Sequence, residues 1–186
     1  HYNDLVAVYD DQLRSQLLYE QTLTSTMAEG IDKEQFLVYL QPKYDIATNR
    51  LAGAEALVRW DHPIYGLIYP GSFIPMFEQN GFITTLDNYI WEKTCQIISK
   101  WKKEGYPLFP VSVNVSRADI YHPDLCEKLV DLIHEYGIEP EELHLEVTES
   151  AYTENPDQLL KAVEKLHSEG FIIEMDDFGS GYSSLN

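Results

Sequence analysis

Apolar residues in this chain recur with two periods. Between about residues 4 and 29, Leu5, Tyr9, Leu13, Leu17 and Met27 fall near helical spacing, which predicts either a packing helix or a helix linking two domains. From Phe36 onward, short apolar-rich runs alternate with longer helical patterns. The runs at 36–44, 51–60, 110–116, 143–147 and 171–176 read as strands. A helix ends near Glu104, with Leu86, Ile90, Thr94, Ile97, Ile98 and Trp101 on one side and Gly105 as its stop. A second carries Leu125, Leu129, Leu132, Ile133 and Tyr136 and ends before Gly137. A third is capped by Asn155, has Pro156 in its first turn, and ends before Gly170. Strand–helix alternation at roughly 30-residue intervals predicts a parallel sheet with helical crossovers, as in a βα barrel.

Strand parity sharpens this picture. Val111, Val113 and Val115 oppose Ser112, Asn114 and Ser116; Leu143, Leu145 and Val147 oppose His144, Glu146 and Thr148. In the last strand Phe171, Ile173 and Met175 oppose Ile172, Glu174 and Asp176, and in the second Gly53, Glu55 and Leu57 share a face. A single strand of this kind also suits an antiparallel sheet with one wet face. The intervening helices favour a barrel, in which the polar parity faces the lumen. Glu55, Asn114, Glu146 and Asp176 then converge near the C-terminal strand ends, where barrel active sites lie.

Composition adds a constraint. The 186 residues are 44% apolar and 24% charged, enough for one core; 13 Lys and Arg against 31 Asp and Glu leave a net charge of −18. Such a chain repels nucleic-acid polymers and anionic membranes. No run is long enough to insert into a membrane, and no secretion signal opens the chain. Two cysteines outside any CxxC pair, Cys95 and Cys126, suit a reduced cytoplasmic setting. Carboxylates crowded in a lumen need a compensating cation. Three carboxylates and one amide are hard oxygen donors that suit Mg²⁺ or Mn²⁺ better than zinc.

The same residues fall into an ordered series of motifs. Gln41-Pro42 is followed by Glu55-Ala56-Leu57-Val58-Arg59-Trp60, Phe73-Ile74-Pro75 and Asn114-Val115-Ser116. Glu146-Val147-Thr148-Glu149-Ser150 and the run from Asp176-Asp177-Phe178-Gly179 to Leu185 complete it. The series resembles the EAL domain family (QP, EALxRW, FIP, NxS, ExTES, DDFGxGYSSL). The Asp-Phe-Gly triplet alone also suits a protein kinase, but no glycine loop or HRD motif accompanies it.

The resemblance implies a TIM-like (βα)8 barrel of which this chain holds about the first five strands. It implies residues 1–30 as a linker helix following a GGDEF-like or sensory domain, and 31–186 as an EAL domain incomplete at its C-terminus. It implies a cyclic di-GMP phosphodiesterase that forms linear pGpG by in-line attack of water with two Mg²⁺ or Mn²⁺ ions, or alternatively a non-catalytic cyclic di-GMP receptor. Glu55, Asn114, Glu146 and Asp176 would bind one metal, and Asp177 would help hold a second. Gln41, the backbone near Leu57, and Arg59 would contact substrate, and Glu149 would hold the loop 178–184 that leads to a homodimer interface. Each has a plainer reading: Arg59 as a surface partner of Asp61, Glu149 as a helix-start carboxylate, the glycines as turn residues, His62 as a packing residue. Lys43 stands where the family often has an apolar residue, a substitution expected to be without consequence. The family's KxD lysine and later glutamate lie outside these 186 residues, so the fragment alone is expected to be inactive.

Overall fold

The computed structural model describes residues 11–148 and 155–176, with Asp176 described by its backbone alone. Helix α1 (Asp11–Asp32) precedes strands β1 (Phe36–Asp45), β2 (Arg50–His62) and β3 (Gly66–Ile68). Helices α2 (Ile74–Asn80) and α3 (Ile83–Glu104) lead to β4 (Val111–Asn114), followed by α4 (Arg117–Ile120), α5 (Leu125–Tyr136), β5 (Leu143–Thr148), α6 (Pro156–Ser168) and β6 (Ile173–Asp176). The strand order is β1-β2-β4-β5-β6, with the short β3 paired to β2. β3 pairs antiparallel with β2, whereas β2–β4, β4–β5 and β5–β6 are parallel, as strand–helix alternation predicts.

β1 breaks that rule. It pairs antiparallel with β2, Gln41 opposite Glu55 and Lys43 opposite Gly53. No helix fits into the four residues between the strands, so a tight turn replaces a crossover. Asp45 Oδ1 accepts from the Thr48 amide at 2.7 Å and its hydroxyl at 2.6 Å, and Asn49 takes the left-handed conformation (φ 51°) that Asn tolerates. Past Gln41, β1 therefore descends toward the N-terminal ends of the other strands and carries Lys43, half-buried, onto the lumen face.

Helix ends follow their sequence signals. Gly105 and Gly137 are left-handed C-caps, and the Asn155 side chain accepts from the Gln158 amide. The outward parity of the parallel strands packs under α3, α5 and α6: Val111, Val113, Leu143 and Leu145 are wholly buried with Ile98 and Leu129. A second cluster gathers Phe36, Trp60, Phe73 and Phe77 beneath α1, which contributes Leu23. There α1 runs to Asp32, beyond the span that the apolar spacing outlines, and docks closely. A Cβ on Gly30 would meet Phe36 at 2.8 Å and Trp60 at 3.2 Å. α1 thus packs against this cluster. His62, as expected, is a buried packing residue between Trp60, Tyr65 and α1.

Candidate functional site

The inward parity of β2, β4, β5 and β6 gathers the polar residues singled out in the sequence. Glu55 pairs in register with Ser112, Ser112 with His144, and Asn114 with Glu146, which pairs with Glu174. Asn114 Nδ2 donates to Glu55 Oε1 at 3.3 Å, so these two side chains meet across β2 and β4. Glu146 lies beside Asn114 on the next strand and is only 4% exposed, an ionisable group that demands partners. The Asp176 backbone pairs with Thr148 at the upper end of the same face. Its side chain lies outside the described residues, as do Asp177, Glu149 and the loop 178–184.

Local packing fixes the end of β4. The indole N–H of Trp91, on α3, donates to the Asn114 carbonyl at 3.0 Å. Ser116 caps α4, accepting from the Asp119 amide at 3.3 Å, while its own amide donates to Asp87 Oδ2 at 3.1 Å. Asp87 and Asp119 form an acid pair beneath this turn. Burial, then the charge of Asp119, pushes the Asp87 carboxyl well above the ordinary carboxylate range. Sequence reading missed this pair, because the two residues lie on separate helices with no motif between them. A cavity of about 260 Å³ opens above, lined in part by Leu57, Asp87, Asn114, Ser116 and Thr148.

Arg59 shares the lumen parity of Glu55 and Leu57. Its guanidinium lies 4.9 Å from the Tyr69 ring centre and 5.7 Å from that of Tyr39, and Nη1 donates to the Val58 carbonyl. Among the described residues it has no carboxylate partner, so the plainer pairing with Asp61 does not form. Gln41 is exposed opposite Glu55, and Leu57 is half-buried one step above.

Lys43 is the residue that sequence reading undervalued. Its ammonium donates to Ser112 Oγ at 2.8 Å, to Glu174 Oε2 at 2.6 Å and to Glu146 Oε1, exhausting its three protons. Ser112 Oγ also donates to Glu146 Oε1 at 2.6 Å, and His144 Nδ1 lies 2.6 Å from Glu174 Oε1. Burial alone would lower the Lys43 pKa, but its bonds to the two glutamates outweigh this and raise it. Burial likewise pushes Glu174 up, and the bonds from Lys43 and His144 bring it below its ordinary value.

These donors fit a hard divalent cation. The Glu55 carboxylate and the Asn114 amide already touch, and a half-turn of the amide presents oxygen in place of nitrogen. Among the described residues, the bonds to Glu146 from Lys43 and Ser112 both fall on Oε1, so Oε2 is the oxygen that could face a cation. Among the described residues alone, no three His, Cys, Asp or Glu side chains cluster tightly enough to hold a metal.

Fold and face together define a βα-barrel segment with carboxylates and an amide at the C-terminal ends of its parallel strands. The family model described as EAL domain matches residues 24–186, and the chain belongs to that family. It is 34% identical over 163 residues to MucR of Pseudomonas aeruginosa, named a bifunctional diguanylate cyclase/cyclic di-GMP phosphodiesterase. That match covers 88% of this chain and 24% of MucR. It is 30% identical over 164 residues to the oxygen sensor protein DosP of Escherichia coli, covering 88% of this chain and 20% of DosP. The structure of the MucR phosphodiesterase in complex with c-di-GMP superposes with a TM-score of 0.82 at 33% identity, covering 88% of this chain and 66% of the other. The chain thus spans only about a quarter of MucR and a fifth of DosP. The fold is that of the EAL TIM-barrel domains.

Proposed function

We propose that this chain is the metal- and substrate-binding part of a phosphodiesterase that hydrolyses cyclic di-GMP to linear pGpG. The observation that carries the reading is the contact of Asn114 with Glu55, beside Glu146, on one lumen face of an EAL-family barrel. Glu55, Asn114, Glu146 and Asp176 would hold one Mg²⁺ or Mn²⁺, and Asp177 would share a second with Asp176. A divalent cation there supplies Lewis-acid activation of water and charge neutralisation at the phosphodiester. Arg59 has guanidinium donors beyond the one spent on Val58, and its planar fork suits a phosphate. Gln41 and the Leu57 backbone would line the path of the nucleotide, and Glu149 would hold the loop 178–184.

The reading includes a homodimer and an upstream GGDEF-type domain, the latter supported by the bifunctional name of MucR. No described helix is long and apolar enough to cross a membrane. Both cysteines are free, which supports a cytoplasmic setting. One observation favours a receptor that binds the nucleotide without hydrolysing it: the Lys43 ammonium already occupies an oxygen of Glu146. Incubation of the protein, with the strands that complete the barrel, with cyclic di-GMP and Mn²⁺ separates the two. Accumulation of pGpG that is lost in Glu55→Ala supports the enzyme; nucleotide binding without product supports the receptor.

A further inference from the structure

The lumen carries more negative charge than the metal reading employs. Glu146 and Glu174 are register partners on adjacent parallel strands and project into the same lumen. Like charges facing each other in this way destabilise a sheet, and the more so when one of them is buried. Lys43 reaches both from β1, across the lumen and from 103 and 131 residues away. It gets there because β1 runs antiparallel and places it two positions below Gln41. Three oxygen acceptors saturate the ammonium, so it has no proton left for a substrate phosphate and no lone pair to act as a base.

We propose that Lys43 is the resident counter-cation of the lumen: it offsets the repulsion between Glu146 and Glu174 within the fold and sets how tightly the neighbouring oxygens bind a divalent ion. The second half rests on the metal reading above; the first does not. An ammonium bonded to one oxygen of Glu146 repels any cation on the other, so it weakens metal binding while it stabilises the metal-free barrel. Lys43 is thereby a positioning and tuning residue that touches neither substrate nor a reacting atom.

The test uses Lys43→Met, Glu174→Gln and the double variant, which keeps the net charge of the wild type. Thermal unfolding is measured without metal, and Mn²⁺ affinity by calorimetry. Lys43→Met is expected to lower the metal-free melting temperature by about 5 °C, with the double variant regaining much of the loss. It is expected to bind Mn²⁺ about ten-fold more tightly, Glu174→Gln more weakly, and the double variant close to wild type. Unchanged melting in Lys43→Met overturns the counter-cation role. A Lys43→Met protein that binds Mn²⁺ no better than wild type, or a double variant that fails to return, overturns the tuning of affinity. If no protein binds Mn²⁺, the metal reading falls with the tuning claim, and the melting temperatures still decide the counter-cation role. Should Lys43→Met not fold while the double variant does, the counter-cation role is upheld.

Discussion

Trp91 and Asn114 are joined by a hydrogen bond from an indole to a main-chain carbonyl, at 3.0 Å, between the middle of α3 and the last residue of β4. The bond ties a core helix to the one amide-bearing side chain of the candidate metal site. Trp91 is 1% exposed, so its replacement leaves both a void and an unpaired carbonyl. Trp91→Phe is expected to cost about 2–4 kcal/mol in urea unfolding, the sum of lost volume and a lost buried acceptor.

His62 links the hairpin after β2 to α1. Its Nδ1 accepts from the Ile64 amide at 3.2 Å, which leaves Nε2 to donate to Thr26 Oγ1 at 3.1 Å. Burial holds its pKa below the ordinary 6.5. The unfolded chain then takes up a proton before the folded one does, so this residue's contribution is intact above pH 6.5 and lost as the pH falls through the depressed value. Thermal unfolding between pH 7.5 and 5 is expected to show a loss of stability that is smaller in His62→Gln.

Asp87 has the opposite sign. Its raised pKa makes ionisation oppose folding, so stability is full below the ordinary carboxylate pKa and declines as the pH rises through the raised value. Asn keeps an oxygen for the Ser116 amide and cannot ionise. Asp87→Asn is expected to melt at a higher temperature than wild type at pH 8, with the advantage gone near pH 4.

Cys95 is wholly buried, and burial pushes its thiol up to about 12; Cys126 is buried and raised as well. Thiolate is the reactive form. Neither thiol is expected to react with an alkylating reagent at pH 8 in the native protein, and both should react in denaturant, as mass spectrometry will register.

Much of this was legible because periodicity is local. Alternation in β4 and β5 assigns Asn114 and Glu146 to the lumen, and Gly105 and Gly137 end helices through a backbone geometry that glycine alone enters cheaply. The direction of β1 was missed although its signal is short-range: Asp45, Thr48 and Asn49 spell a hairpin turn that helix alternation elsewhere obscured. Lys43 could not be read in advance. Its three acceptors come from β4, β5 and β6, and only the antiparallel course of β1 brings it among them. Asp87 and Asp119 were hidden for the same reason, as partners on different helices.

Cation binding by the lumen face is tested most directly by titrating Mn²⁺ into wild type, Asn114→Ala and Glu146→Gln, following free Mn²⁺ by electron paramagnetic resonance. Binding by the wild type that weakens about ten-fold or more in each variant is the expected result. Equal retention of Mn²⁺ by all three proteins would contradict the assignment of these side chains to the metal.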